Sequence, residues 1–564
     1  MDGTPYILQN NNMNWIILLI ISILPLTGLM PKGLPVTHDG QDHVARIASF
    51  FQSLAEGNVI PRWASNLNWG YGHPILMFLY PMSSYVGSLF RWLGFSYVDA
   101  TKLVFAVAFI FSVLAMYLWM KNAFSKRAGI IAAILYGFAP YRFVDLYVRG
   151  AIGEHMAFVF PPLICYFLFL VSKNNEYSKN RQLLHGIGLS LSVGALILAH
   201  NAIAIIFLPI IGFYWVYLFF NKAKKSIPFV ITSLYFSLLG FGLAAFFWMP
   251  AFFEGKYTLR DIVTANEYGS RFVPFTWFLY SPWNYGQGNE LTKSVGIGGW
   301  IGILASIAVI WKMKEKTIKG FVIGGIVLFF GSLFMMTSAS NSIWQHVSLL
   351  QKFQFPWRFL SVSVFLSAIL GGVAIASLIE RRSVNKRLFG NYIVTAFCII
   401  AVVSTIYMWK PKAYSVKPES FYSGVYDSTT DTGESSPIWS VRFMEHRPTA
   451  PLEIASGAVI ISNSSRTTTV REYTVVANEP ARLVENTLYF PGWKVYVDGI
   501  QTGIQFQDPT FRGLITFRVS EGVHAVRIVF EETKLRTVAD MITIGTLGLL
   551  VITAIGVHLW KKRK

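Results

Sequence analysis

Residues 99–120 of this chain read DATKLVFAVAFIFSVLAMYLWM, and this stretch indicates the class of fold. From Leu103 to Met120 it is apolar except for Ser112, so as a helix it is long enough to cross the roughly 30 Å hydrocarbon layer of a membrane. Similar runs recur along the 564-residue chain, of which 53% is hydrophobic and 14% is charged. An ordinary soluble domain has about 25% charged residues. The composition therefore excludes a soluble globular enzyme, and the sequence predicts an α-helical multi-pass membrane protein.

About twelve stretches are predicted to span the membrane. We interpret the first as an uncleaved span rather than a signal peptide, because no basic residue precedes it and no small-residue cleavage site follows it. The predicted spans are 15–29, 99–120, 128–141, 155–172, 183–199, 202–220, 228–249, 296–311, 320–337, 359–379, 391–409 and 538–560.

The charge of the chain is concentrated in short segments between these spans. The net charge is +19, and six segments hold 21 of the 48 basic residues against three acidic ones. They are Lys121 to Arg127, Lys173 to Arg181, Lys222 to Lys225, Lys312 to Lys319, Glu380 to Arg387 and Lys561 to Lys564. Basic loops stay on the cytoplasmic side of a membrane, so the C-terminus is predicted to be cytoplasmic, and the N-terminus is too if the stretch 75–95 does not span the membrane. No basic stripe is left for a nucleic acid, and the partner predicted by the composition is the lipid bilayer of the cell membrane.

The stretch 75–95 is apolar but contains polar interruptions, including Pro81, Ser83 and Arg91. If it spans the membrane, residues 31–74 face the cytoplasm. If it lies along the interface, residues 31–98 form one large outer loop. Its aromatic and polar content favours an interfacial helix, and we adopt that interpretation.

Residues 410–537 differ in pattern from the rest of the chain. Their short apolar runs alternate, as in Arg471-Glu-Tyr-Thr-Val-Val, and turn residues such as Asp498-Gly499 separate them. This pattern is typical of β-strands, and roughly 125 residues suffice for a separate core. The predicted organisation is a membrane bundle over 1–409, a β-sandwich-like outer domain over 410–537, and a last span with a basic tail over 538–564.

The densest polar cluster is the sequence HDGQDH at 38–43, followed by Arg46. In a helix, Asp39 and His43 are four residues apart and share a face. A carboxylate beside an imidazole can act as a base or hold a divalent metal ion, so a divalent metal is a candidate cofactor, although the sequence identifies none. Residue types alone favour an amphipathic helix start with Asp39 as its N-cap.

Further polar residues lie at the predicted outer ends of spans. They are candidates for binding a phosphate, since the planar guanidinium of arginine fits phosphate oxygens. The structural alternatives are that they are solvated loop residues, that His200 belongs to a polar turn, and that Arg358 is an arginine at the membrane interface. The candidates are Arg142, Arg149, Glu154, His155, His200 and Arg358.

Several of these motifs together resemble a known family. The first loop, HDGQDHVARIASFFQSLAEGNVIPRWASNLNWGYGHPILMFLYP, is similar to that of the "6-pyruvoyl-tetrahydropterin synthase-related" membrane proteins. The resemblance continues in YVRGAIGE at 147–154, FPWR at 355–358 and YFPGWKVYVDG at 489–499. These proteins are similar in turn to YfhO-like proteins and to GT-C glycosyltransferases. The soluble pterin synthase uses a His-x-His pair, which this sequence lacks, so the family name does not indicate the function.

The GT-C resemblance implies a fold, a reaction and site residues. It implies a sugar donor carried on a polyprenyl phosphate, and catalytic acids in the first and second outer loops. By position these are Asp39 and Glu154. Asp42 is an alternative to Asp39 as the first acid. Asp42 lies 15 residues before Gly57, a spacing that suits the aminoarabinose transferase pattern, whereas Asp39 lies 18 residues before Gly57, which suits the YfhO-like pattern. His43 is carried over with the catalytic acids and Arg46 with the donor-binding residues.

Two non-enzymatic classes compete with the glycosyltransferase. The chain could be a transporter of lipid-linked glycans, which predicts charged residues within spans; the spans 202–220, 296–311 and 359–379 have none. It could also be a scaffold whose β domain binds glycans or proteins. The polar first loop argues against the scaffold. The sequence does not identify the sugar or the acceptor.

Overall fold

The computed structural model describes residues 11–173, 176–221, 226–286, 290–380 and 384–562. The basic segment Lys222–Lys225, three residues of the segment 380–387 and the last two residues of the tail lie outside the described residues.

The stretches predicted to span the membrane lie in helices, of which eight, or ten if each of two bent helix pairs is one span, are long and apolar enough to do so. Two shorter apolar helices complete the set. The long helices are Tyr97–Ala123, Ile152–Ser172, Lys179–Ala199, Asn201–Asn221, Lys316–Phe334, Pro356–Ile379, Gly390–Met408 and Lys534–Leu559. The bent pairs are Lys126–Gly137 with Pro140–Arg149 and Ile227–Leu243 with Ala245–Phe253, and the short helices are Met13–Leu29 and Ile297–Ile310. The fold class predicted from the sequence is therefore confirmed.

The first bent pair determines the position of the polar residues of the predicted second outer loop, residues 141–154. The helices Lys126–Gly137 and Pro140–Arg149 meet at 48°. Proline at 140 cannot continue the hydrogen-bond ladder of the preceding helix, but it is well suited to the first turn of the next. The chain then widens into a π-helical turn over Val144–Arg149, which ends at Gly150 with a φ of +67°. This left-handed conformation is one that glycine adopts without strain.

The first outer loop contains the helix Gly40–Ala55 and two helices in the stretch 75–95, Ile75–Phe78 and Met82–Trp92. An 11-residue helix rises about 16 Å, roughly half of the hydrocarbon thickness, so Met82–Trp92 is too short to span a membrane. Its Ser and Gly residues pack inward, while Leu89 and Trp92 are exposed. The structure agrees with the interfacial interpretation of this stretch.

The C-terminal part forms antiparallel sheets. Strands β1 (Leu34–Pro35) and β2 (Tyr414–Ser415) pair the start of the first outer loop with the start of region 410–537. The other strands are β3 (Leu452–Ser456), β4 (Val459–Arg466), β5 (Val470–Ala477), β6 (Ala481–Leu488), β7 (Trp493–Val497), β8 (Ile500–Thr502), β9 (Leu514–Val519) and β10 (Gly522–Phe530). One sheet has the order β4-β5-β10-β7-β8 and the other β3-β6-β9. The predicted boundaries of this domain stay a prediction, since residues between β2 and β3 are largely irregular and contact the first outer loop.

The β-sheet core is continuous with the core of the first outer loop. Trp63 packs edge-on against Trp493 with ring centroids 5.3 Å apart, and Phe530 lies 5.5 Å from Trp63. Arg62 is buried and forms ion pairs with Glu532 at 2.8 Å and with Asp540 of the last span. The loop, the sheets and the last helix therefore share buried contacts, as parts of one hydrophobic cluster.

Candidate functional site

The first and second outer loops are joined by their backbones. The N–H of His38 donates to the carbonyl of Val148 at 3.0 Å, and the N–H of Asp39 donates to that of Arg149 at 2.9 Å. A Cβ at Gly150 would lie 2.3 Å from Oγ1 of Thr37, so the close approach of the two loops requires glycine there. This pairing brings Asp39 beside the segment that carries Arg149 and Glu154.

A buried ionic cluster lies beneath this junction. Nη1 of Arg149 lies 2.7 Å from Oδ1 of Asp145 and 2.8 Å from Oε2 of Glu154. The hydroxyl of Tyr141 donates to Oε1 of Glu154 at 2.5 Å. Both carboxylate side chains are fully buried. Because burying a charge is costly unless it is paired, these contacts make Glu154 and Asp145 supports for the arginine rather than exposed acids.

Arg358 lies against the same cluster from another span. Its Nε is 3.9 Å from Oε2 of Glu154, and its Nη1 donates to the carbonyl of Phe353 at 2.6 Å. Nε itself makes no hydrogen bond within the described part of the chain. The structure thus brings together three of the candidate residues, Arg149, Glu154 and Arg358, and leaves Arg358 with unused hydrogen-bonding capacity.

The two candidate acids of the first loop have different surroundings. Asp39 is the N-cap residue of the helix Gly40–Ala55, is partly exposed, and makes no side-chain capping bond. Asp42 accepts a hydrogen bond from the hydroxyl of Tyr426 at 3.0 Å, and burial raises the pKa of its carboxyl. Of these two acids, Asp39 is therefore the one whose carboxylate makes no hydrogen bond to the described residues and is free to contact a ligand.

His43 and Arg46 are hydrogen-bonded to each other, and Arg46 is also hydrogen-bonded to a residue of the C-terminal region. Nη1 of Arg46 donates to Nδ1 of His43 at 2.8 Å. Its Nε donates to Oγ1 of Thr430 at 2.9 Å, and its Nη2 donates to the carbonyl of Thr430. Burial, followed by the charge of Arg46, holds the pKa of His43 well below its usual range, so the imidazole is neutral. Most donors of Arg46 are used inside the protein.

Arg142 and His155 are completely buried, and their predicted role in substrate binding stays a prediction. Arg142 donates to Oγ of Ser112 at 2.7 Å, and its guanidinium lies 4.1 Å from the ring centroid of Phe158. His155 packs against the rings of Phe105 and Phe109. Nε and Nη1 of Arg142 and both ring nitrogens of His155 make no hydrogen bond among the described residues.

His200 lies at the junction together with Tyr80, a residue to which the sequence assigned no role. The ring of Tyr80 stacks on His200 with centroids 4.7 Å apart and an interplanar angle of 23°. Burial, followed by the charges of Arg358 and Arg149, lowers the pKa of His200 well below its usual range. The sequence signal for Tyr80 was its place in the Tyr80-Pro81 pair that ends the first-loop motif.

A narrow pocket opens at this junction. Its lining includes His43, Arg46, Tyr80, Ser83 and Ile152, and its free interior is about 10 Å³. That volume is on the scale of one water molecule, so a larger ligand requires the surrounding side chains to move. No group of three or more His, Cys, Asp or Glu side chains within the described ranges is arranged to hold a metal ion.

Among the solved structures that are similar to this chain are an oligosaccharyltransferase, an arabinofuranosyltransferase and ArnT. The oligosaccharyltransferase AglB from Archaeoglobus fulgidus, in complex with an inhibitory peptide and dolichol-phosphate, is 13% identical, with 77% of this chain and 62% of AglB covered and a TM-score of 0.45. The arabinofuranosyltransferase AftD from Mycobacteria is 12% identical, with coverages of 74% and 29% and a TM-score of 0.45. ArnT from Cupriavidus metallidurans is 15% identical, with coverages of 73% and 68% and a TM-score of 0.37. Such identities and TM-scores carry no conclusion about activity.

Sequence comparison identifies the family. An uncharacterized protein of Lactococcus lactis subsp. cremoris (strain MG1363) is 25% identical over 244 residues, which are 42% of this chain. The match spans about two fifths of the length of that relative, 39%. A family model described as the 6-pyruvoyl-tetrahydropterin synthase related domain of membrane proteins matches residues 76–415, more than half of the chain. The resemblance seen in the sequence is thus confirmed, and the chain belongs to this family of membrane proteins.

Proposed function

We propose that this protein is a glycosyltransferase of the GT-C type that transfers a sugar from a polyprenyl-phosphate donor to an acceptor at the outer face of the cell membrane. The observation that carries the proposal is the junction of the two outer loops. There a partly exposed carboxylate, Asp39, is hydrogen-bonded through its backbone to Arg149, and Arg149 and Arg358 both approach Glu154.

In the proposed reaction, Asp39 is the general base. It accepts the proton of the acceptor hydroxyl as the oxygen attacks the anomeric carbon of the sugar, and the bond from that carbon to the phosphate oxygen breaks. Arg149 and Arg358 stabilise the negative charge that returns to the lipid phosphate. Glu154 and Asp145 hold Arg149 in place through the contacts at 2.8 and 2.7 Å. No nucleotide is required, because the lipid phosphate is the leaving group.

The proposed topology follows from charge and contacts. Basic segments between spans are retained in the cytoplasm, so both termini are assigned there and the junction is assigned to the outer face. The first outer loop and the β-sheets contact each other, since Oε2 of Glu56 accepts from the N–H of Thr468 at 2.7 Å. Two segments in contact lie on the same side of a membrane, which assigns the β-sheets to the outer face as well.

The test is a sugar-transfer assay in membranes with radiolabelled polyprenyl-phosphate sugars and membrane-extracted acceptors. Asp39→Asn retains the side-chain volume but removes the base, so we expect the rate of transfer to fall by about 10²–10⁴. The matched control is Asp261→Asn, a carboxylate that is 69% exposed and 3.5 Å from Lys352, with an expected rate equal to that of wild type. Equal rates for wild type and Asp39→Asn would contradict the proposed role of Asp39.

The narrow pocket favours one alternative, a non-enzymatic scaffold whose β domain binds glycans or proteins. The free interior of the pocket is about 10 Å³ and does not accommodate a sugar without rearrangement. This alternative predicts that the purified protein neither retains a labelled donor nor transfers its sugar to any acceptor.

A further inference from the structure

Tyr80 has a fixed place at the junction of the outer loops. A Cβ at Gly153 would lie 2.0 Å from Cε2 of the Tyr80 ring, so the ring occupies the space that any larger side chain at 153 would need. The opposite packing partner is His200, stacked at 4.7 Å. Gly153 is the neighbour of Glu154 in the chain, and the ring of Tyr80 is therefore held beside the ionic cluster.

The hydroxyl of Tyr80 is surrounded by positive charge. Three arginines, Arg46, Arg358 and Arg149, act on it electrostatically, against one acid, Asp39. Burial is nevertheless the larger effect and raises the pKa of the phenol. The hydroxyl thus keeps its proton and is a hydrogen-bond donor.

This donor has no acceptor among the described residues. The side chain of Tyr80 is partly exposed and lines the narrow pocket. A donor in a pocket that makes no bond to the protein is available to water or to an oxygen of a ligand. Nε of Arg358 likewise makes no hydrogen bond among the described residues.

We propose that Tyr80 is a ligand-binding residue whose hydroxyl donates a hydrogen bond to an oxygen of a phosphate group bound beside Arg149 and Arg358. Ionised phosphate oxygens are strong hydrogen-bond acceptors, and the excess of arginine over acid around the hydroxyl matches their charge. The proposal deepens the proposed function and rests on it for one point, that the phosphate belongs to the lipid donor.

The experiment measures binding without turnover. The purified full-length protein in nanodiscs is titrated with undecaprenyl phosphate, with inorganic phosphate, and with undecaprenol, which lacks the phosphate. Tyr80→Phe removes only the hydroxyl and keeps the stacking on His200. The matched control is Tyr85→Phe, a tyrosine of the same loop whose hydroxyl donates to the carbonyl of Val59 at 2.8 Å.

We expect undecaprenyl phosphate to bind wild type and Tyr85→Phe equally, and to bind Tyr80→Phe about tenfold more weakly, as for loss of one hydrogen bond to a charged group. Undecaprenol is expected to bind all three proteins alike. If Tyr80→Phe weakens the binding of inorganic phosphate by the same factor, a free phosphate is identified as the ligand. The hydrogen bond from Tyr80 to a phosphate oxygen is then still supported. Equal affinities of wild type and Tyr80→Phe, or no phosphate binding by wild type, would overturn the proposal.

The two proposals fail in different ways. If the protein binds phosphate in a way that depends on Tyr80 but transfers no sugar, the glycosyltransferase proposal is contradicted and the role of Tyr80 is not. Sugar transfer with a wild-type affinity for the lipid phosphate in Tyr80→Phe contradicts only the role of Tyr80. Gly153→Ala provides a second variant, because a methyl group there displaces the ring; its affinity is expected to fall at least as far.

Discussion

At the scale of single residues, the two acids predicted to act together have opposite environments. Glu154 is fully buried and bonded to Tyr141 and Arg149, whereas Asp39 is partly exposed and its carboxylate makes no capping bond. A buried carboxylate that is already paired is held in place by its partners, while an unpaired one at the surface can accept a proton. We therefore propose a structural role for Glu154 and a chemical role for Asp39.

This difference predicts different effects on stability. Glu154→Gln removes one of the two carboxylates that neutralise Arg149 in a buried cluster, and breaking a buried ion pair destabilises a protein by about 3–5 kcal/mol. We expect a clear fall in the melting temperature of the detergent-purified protein. Asp39→Asn serves as the control and is expected to melt like wild type. Equal melting temperatures for Glu154→Gln and wild type would mean that Glu154 does not support the cluster.

At the scale of elements, a short segment of the C-terminal region, the strap 427–436, contacts both the first outer loop and the segment before the span Pro356–Ile379. The carbonyl of Ser428 accepts from the N–H of Asn68 in the loop at 2.9 Å, and Nε2 of Gln354 in the other segment donates to Glu434 at 2.7 Å. Within the strap, Thr430 has a φ of +65°, a left-handed conformation that is costly for a β-branched residue. This conformation directs both its hydroxyl and its carbonyl to Arg46.

Variants at 430 separate the hydrogen bond from the strain. Thr430→Val leaves Nε of Arg46 without its acceptor at 2.9 Å, and an unsatisfied buried donor costs about 1–3 kcal/mol. Thr430→Gly also removes the acceptor but relieves about 1–2 kcal/mol of strain, so it is expected to melt above Thr430→Val. Thr430→Ser keeps the hydroxyl and is the control. Thermal unfolding in which the Val and Ser variants coincide would show that this contact does not stabilise the fold.

At the scale of the whole molecule, the β-sheets share buried contacts with the membrane part. A separate core was expected from the length of region 410–537. In the structure, Trp493 packs on Trp63 of the first outer loop, and buried Arg536 pairs with Glu254 at 2.8 Å. A fragment spanning 412–535 exposes Trp493, leaves Glu532 without Arg62, and lacks Arg536, whose Nη2 donates to the carbonyl of Pro491 at 2.6 Å. These changes lower its stability.

We therefore expect a fragment spanning 412–535 to unfold without a cooperative transition when it is produced alone. Circular dichroism during heating measures this directly, and the same signal in the full-length protein provides the comparison. A cooperative melt with strand-type dichroism in the isolated fragment would show that its own core is sufficient, as the alternation of its sequence had suggested.

The sequence by itself determined the spans, the β-strand region and the family. Each of these depends on a local pattern: an apolar run of a given length, alternation of apolar residues, or motifs of fixed spacing such as the first-loop stretch 38–81. Only the tertiary structure decided which polar residues meet. The sequence could not distinguish Arg142, enclosed by aromatic rings, from Arg149 at the loop junction, and it gave Tyr80 no role. Burial and pairing depend on segments far apart in the chain, such as Thr430 against Arg46, and these contacts exist only after the loops have packed.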